Sequence, residues 1–350
     1  MSAGPGSAIG EPQAGSLQIA SSAVVVGTAF MGEGSLLAEG AVVRSFGAGV
    51  DVGAGSAILE NSVCVGNDTI PTMVGRRTVF GHRCLVIGAT VGDLCEIGNA
   101  SILMPGARLG DRVFLGEGTL VPSGMTLPSD VVAVGRPARV VRTASDDDRR
   151  RLVALRGGDL SLPPRAPITV ESTEETIAMG NLYAFRGTVP TVAPSAILFP
   201  TAEITGDVVI GERTIIGAGV KIIGDSHGPV RIASDVQILE NTVLHLLPDN
   251  DLIIDDGVIV GPGAMIHGCR IGTGSIVEPG AIVCDGSVVG AGSVVRAGAV
   301  VKQRSHFAAG TDIDGFPAVD IGRISESPRM PAWALRYDEL PSPISEGPRR

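Results

Sequence analysis

Along most of this chain an aliphatic residue is followed by glycine or another small residue, and the pair returns at intervals of six. Between about Ala23 and Arg139 it appears as Val91-Gly92, Ile97-Gly98, Leu109-Gly110 and Leu115-Gly116. The second half carries it as Ile210-Gly211, Ile216-Gly217, Ile271-Gly272, Pro279-Gly280 and Val289-Gly290. A period of six suits a triangular coil: three short flat strands, one inward aliphatic side chain on each, and corners that small residues turn cheaply. Stacked coils then share a continuous aliphatic column. An antiparallel sandwich would instead alternate with period two over longer runs and vary its loop lengths. The pattern therefore predicts an all-β solenoid of hexapeptide repeats. Ile-Leu-Glu-Asn at Ile58–Asn61 returns at Ile238–Asn241, 180 positions on, and coils 58–118 match 238–298 without insertion. The chain reads as two solenoid lobes made by duplication and fusion.

That reading divides the 350 residues into five parts. A flexible leader rich in Gly, Ser, Ala and Pro occupies 1–22, and a first lobe with a closing helix occupies 23–158. An exposed linker (159–179) leads to a second lobe with a C-terminal helix (180–342) and a tail (343–350). The closing helix is expected within Thr143–Arg156. Ser145 suits its N-cap, and Asp146–Asp148 ahead of Arg149–Arg151 follows the sign of the helix dipole. A second helix is expected over roughly Pro331–Glu339, with Trp333, Leu335 and Tyr337 packed on the solenoid side.

Composition sharpens the picture. With one Trp, two Tyr and 49 Gly, the core must be built from small aliphatic layers. The net charge is −10 and Arg149–Arg151 is the main basic run, which excludes tracking of a nucleic-acid backbone. No apolar run approaches the roughly 18 residues that span a bilayer, and the first twenty lack the order of a signal peptide, so no membrane partner and a cytoplasmic location are expected. The five cysteines show no paired metal-type spacing and read as buried reduced thiols.

Carrying the 180-residue offset forward pairs Val65 with His245, His82 with Pro262 and Ile87 with His267. Asn181-Leu182-Tyr183, Gly187, Pro190, Gly206-Asp207-Val208-Val209-Ile210-Gly211, Ile223-Gly224-Asp225 and His267-Gly268-Cys269 resemble the motifs of the gamma-class carbonic anhydrases. The likeness runs over nearly all of Gly180–Arg323. It is weaker in the first lobe, through Arg44, Gly81-His82 and Gly135-Arg136-Pro137-Ala138-Arg139. The resemblance implies left-handed parallel β-helices, with a metal held between neighbours by two histidines of one and a third of the other. His245 and His267 match the pair and His82 matches the third. It therefore implies one composite site per chain, for Zn2+ or Fe2+, shared between a second and a first lobe. Three neutral imidazoles leave a fourth position for water, whose pKa falls toward about 7 on zinc.

The resemblance also implies roles for nearby polar groups. Arg44 keeps the family's arginine in lobe 1, where lobe 2 has Ile223, and Asp225 keeps its aspartate in lobe 2, so an Arg44–Asp225 bridge between lobes is expected. The family's glutamine and aspartate become Leu59-Glu60 and Leu239-Glu240 here, and Glu60 or Glu240 is a candidate general base. His227 and Asp249-Asn250-Asp251 lie near where a proton shuttle would sit but are assigned solvated-loop roles, and His306 a structural one. The implied function is a metal-dependent hydro-lyase acting on carbon dioxide or another small electrophile. It would work as a homo-oligomer or with another β-helix subunit. The alternatives are a hexapeptide acyltransferase, suggested by fold alone, and a catalytically inactive assembly subunit.

Overall fold

The computed structural model describes residues 16–172, 180–225 and 227–340. The expected leader up to 15, the linker over 173–179 and the tail 343–350 lie outside these described residues. What is described is a parallel β-solenoid of about 16 turns. Its strands divide into two stacks with separate aliphatic cores.

Each lobe has three faces. In lobe 1, face A climbs through Gln18–Ile19, Leu36–Leu37, Ala57–Ile58, Val79–Phe80, Glu96–Ile97, Phe114–Leu115 and Val131–Val134. Face B climbs through Val63–Gly66, Leu85–Ile87, Ile102–Leu103 and Leu120–Val121, and face C through Thr72–Val74, Thr90–Val91, Arg108–Leu109 and Thr126–Leu127. Val24–Gly32 and Val42–Val52 turn the corner from B to C as single strands. Lobe 2 repeats the plan. Face A′ includes Ile215–Ile216, Gln237–Ile238, Ile259–Val260, Ile276–Val277 and Val294–Val295, and face B′ includes Lys221–Gly224, Val243–His245, Met265–His267 and Ile282–Val283.

Strands of two or three residues work here because the period is honoured in both directions. Along a strand the side chains alternate in and out; up the stack, parallel register places like on like. On face B, Cys64, Val86 and Leu103 point into the lobe 1 core, and Val63, Val65, Leu85, Ile87, Ile102 and Met104 point out. Open stack ends are closed by antiparallel strands, Arg139–Thr143 on Val131–Val134 and Ala318–Arg323 on Thr311–Gly315, which covers parallel edges that would otherwise pair with other chains.

The outward rows are not left to solvent. The outward row of face B packs against that of face A′ (Ile215, Ile259, Ile276, Val294), forming a third apolar cluster between the lobes. Each fully buried aliphatic side chain in it contributes about 1.5–3 kcal/mol. Approach is close enough that lobe 2 needs glycine at its corners. A Cβ on Gly263 would lie 2.8 Å from Leu85 Cδ2 and one on Gly280 2.6 Å from Ile102 Cδ1, and both have φ near +70°. Asn241, at the same corner, donates its side-chain amide to the carbonyl of Asn61, its counterpart 180 residues earlier.

Three segment boundaries differ from expectation. The solenoid begins at Gln18, whose strand pairs with Leu36–Leu37, inside the expected leader. Within the linker, Pro167–Glu171 pairs antiparallel with Val24–Gly32, so this stretch is an edge strand of lobe 1. The closing helix of lobe 1 is present at Asp146–Leu155, with Ser145 in a capping box with Asp148. The second helix is not: only a 3-10 turn, Tyr337–Glu339, forms. Residues 333–335 instead lie buried in the groove between the lobes, their backbone bonded by Arg44 and by Gln237, whose side chain both donates to the Leu335 carbonyl and accepts from its N–H. Interlobe hydrogen bonding replaces the helical ladder there.

Candidate metal centre

The corner between faces A and B stacks like residues: the Arg83 N–H donates to the Glu60 carbonyl one coil below, and in lobe 2 the Gly263 N–H donates to the Glu240 carbonyl. His82 and Pro262 therefore sit one coil above Glu60 and Glu240 respectively. On face B′, His245 and His267 are register partners on adjacent strands. They point outward with their rings 6.0 Å apart, edge to face. Their counterparts on face B, Val65 and Ile87, are fully buried against lobe 2.

The lobe contact within the chain thus joins Val65 and Ile87 of one lobe to the Pro262 corner of the other, the combination with no imidazole. The three histidines lie on the surfaces this contact leaves free. His245 and His267 are on face B′ with side chains 29% and 27% exposed, and His82 is on the lobe 1 corner, 48% exposed. Among the described residues His82 meets neither of the other two. Its Nδ1 lies 2.7 Å from the Glu60 carboxylate.

The acidic and basic candidates divide along the same line. Arg44 does not bridge to Asp225. Its Nε donates to Glu240 at 2.6 Å and an Nη to the Trp333 carbonyl at 2.7 Å, with both side chains of the pair only 2% exposed. The expectation failed because Arg44 is on face B, against the lobe 2 corner, whereas Asp225 follows face B′. Glu240 is consequently no general base beside a metal: it is sealed in the interface with its charge compensated. Glu60, the counterpart of Glu240 in lobe 1, has His82 as its ion-pair partner among the described residues.

Asp225 follows the strand Lys221–Gly224 and lies beside His245, with carboxylate and Nε2 3.7 Å apart. His227, assigned a solvated-loop role near a shuttle position, comes back to the same point, with Nδ1 3.2 Å from the Asp225 carboxylate and its ring 5.6 Å from that of His245. Donor atoms of Asp225, His227 and His245 all lie within 4.8 Å of one another. Asp285 was also missed by sequence reasoning: it lies 3.5 Å from His267 Nδ1, where a carboxylate can orient a ligating imidazole. The Asp225-x-His227 spacing two residues beyond a strand in register with His245 was the available signal. Cys269 is not a ligand candidate; it is buried, and burial drives its thiol pKa upward and keeps it protonated. His306, exposed at the start of the strand His306–Phe307, joins no cluster among the described residues.

Two facing imidazoles with open solvent beside them suit a divalent transition ion, and a third nitrogen would complete the donor set of a catalytic zinc or iron site. No protein-family model matches the chain. It is 32% identical over 136 residues to gamma carbonic anhydrase 2, mitochondrial, of Arabidopsis thaliana, covering 37% of this chain and 49% of that one. It is 46% identical over 77 residues to a carbonic anhydrase of Geobacillus kaustophilus, covering 22% and 42%. The chain thus spans about half the length of these curated relatives. Among solved structures, a Bacillus cereus protein described as a putative acetyltransferase is 31% identical, with 42% of this chain and 86% of that one covered at a TM-score of 0.41.

Proposed function

Taking this chain as a tandem, hexapeptide-repeat relative of the gamma carbonic anhydrases, we propose that it is a metal-dependent hydro-lyase whose active site forms between chains. His245 and His267 of one molecule meet His82 on the lobe 1 corner of another. The observation that carries this reading is the sorting of the duplicated positions. The contact inside the chain uses Val65, Ile87 and Pro262, and every retained imidazole faces outward. A bound ion would supply a Lewis acid with a coordination position open to solvent.

The protein residues have separate tasks in this reading. Asp285 lies against Nδ1 of His267 and Glu60 against Nδ1 of His82, so each carboxylate biases its imidazole toward offering Nε2 to an ion. Glu60 is also the carboxylate nearest the completed site from the second molecule, and is the candidate to move a proton to or from solvent there. Arg44 and Glu240 take no part in the reaction and hold the lobes in place. The substrate is a small electrophile, carbon dioxide first among those to assay.

Subunit mixing tests this. His82→Ala and His267→Ala are each expected to abolish carbon dioxide hydration. Unfolded, mixed one to one and refolded with Zn2+, they should recover activity, because a molecule lacking His82 still offers its pair to one that keeps His82. Random pairing leaves about a quarter of the sites intact. No recovery, with both variants folded and assembled, would overturn the shared site; a parent that takes up no metal would overturn the enzyme.

A further inference from the structure

We propose that lobe 2 by itself carries a second donor set for a divalent first-row transition ion, made by Asp225, His227 and His245, which needs neither His82 nor a second molecule. It goes beyond the shared site above and uses only one of that site's residues. Three observations converge on it. The first is spacing. His227 Nδ1 is 3.2 Å and His245 Nε2 3.7 Å from oxygens of the one carboxylate, and ligands about 2.1 Å from a tetrahedral ion stand about 3.4 Å from each other.

The second is what these atoms do not do. His227 Nδ1 is shut off from solvent and has no hydrogen-bond partner, despite its nearness to Asp225, because the alignment is wrong; the separation to His245 is too long for a hydrogen bond. Buried polar nitrogens are ordinarily satisfied. Donors that crowd one point without bonding one another are arranged as ligands are. The third is charge. Among the described residues Asp225 meets no Lys or Arg, and its ion-pair partners are the two histidines alone. Its Oδ1 accepts from the His227 backbone N–H at 2.9 Å, which locks the turn and holds the carboxylate. Two imidazoles and one carboxylate select zinc or ferrous ions over hard cations such as calcium or magnesium. Part of each side chain remains in solvent, so the ion would keep positions for water or a small anion.

The set shares His245 with the outer pair, and the His267 ring is 6.0 Å away. An ion captured by the single chain is therefore already beside the place where His82 of a second molecule would engage. The test is Zn2+ affinity, by competition with a chromophoric chelator, for the full chain diluted until sedimentation shows one molecule. The parent should bind one equivalent. His227→Ala and Asp225→Ala should each weaken binding by at least about 100-fold, beyond the usual effect of residues outside the ligand shell. His82→Ala should leave it within threefold. His227→Gln, which keeps the size and polarity of the turn residue, should behave as His227→Ala does. Parent-like affinity in His227→Ala, or no binding by the parent at this dilution, overturns the proposal. The shared-site reading is decided separately, by activity of the His82→Ala variant in the assembled state.

Discussion

Arg44 and Glu240 are the residues on which the joining of the lobes turns. Removing one member of a buried, hydrogen-bonded ion pair strands the other charge, so Arg44→Ala or Glu240→Ala should cost about 3–5 kcal/mol in chemical denaturation, whereas replacing both together by Met and Leu should recover most of that loss. A double variant as unstable as the singles would show that the Arg44 bond to the Trp333 carbonyl matters more than the pair. The thiols give a pH-dependent outcome. Burial pushes Cys64, Cys84 and Cys95 up to about 12, above the value near 8.5 of an unfolded thiol. The folded chain then holds protons that the unfolded chain releases, so their contribution to stability is complete below about pH 8.5 and declines as pH rises toward 12. Ellman titration at pH 8 should find these three unreactive until denaturant is added; fast labelling of all three in native protein would refute their burial. At this scale the sequence was half legible. Stacking makes register a matter of counting, so the histidine columns could be read from the offset of 180. Which column faces which could not, because a hexapeptide pattern records in and out but not the rotation of one lobe about the other. Asp225 is therefore the partner the sequence suggests for Arg44 in place of Glu240, and His227 reads as a solvated-loop residue and not as a ligand.

Among the elements, the segment carrying Trp333 shows how context overrides local preference. Pro331-Ala332-Trp333-Ala334-Leu335 reads as a helix in isolation, yet it takes up the apolar groove between faces B and A′ in irregular form, satisfying its backbone through Arg44 and Gln237. Trp333 is the sole tryptophan and is 3% exposed, which makes it a reporter of lobe contact. Its emission should be blue-shifted in the native state and move to the red when the lobes part. Trp333→Ala should cost about 3–5 kcal/mol, the usual range for emptying a site of that size. The helix Asp146–Leu155 was readable because its signal is local: Ser145 and Asp148 cap one another, and Ser145→Ala should lower stability by about 0.5–2 kcal/mol, checked by thermal melting.

For the whole molecule, the solenoid class and the duplication were fully legible, since period and offset are properties of the sequence itself. The division of labour between interfaces was not, because it arises only when two three-sided columns are set side by side. Asn241 bonding to Asn61 places the rotation that relates the lobes close to that corner, since a point and its image meet only near an axis. One of the contacts around that axis has been made within a chain and filled with aliphatic side chains, and the surfaces that would make another keep the imidazoles. The strand Pro167–Glu171, bonded along lobe 1 on the way to lobe 2, is part of the covalent tie behind this difference. A tether holds its ends at an effective concentration on the order of millimolar whatever the bulk dilution, while a contact between separate molecules follows mass action. Folding and chemistry then answer to different variables. On the shared-site reading, diluting the protein should leave the Trp333 emission unchanged and lower the hydration rate per chain, so that concentration itself would switch the activity of a molecule that never comes apart.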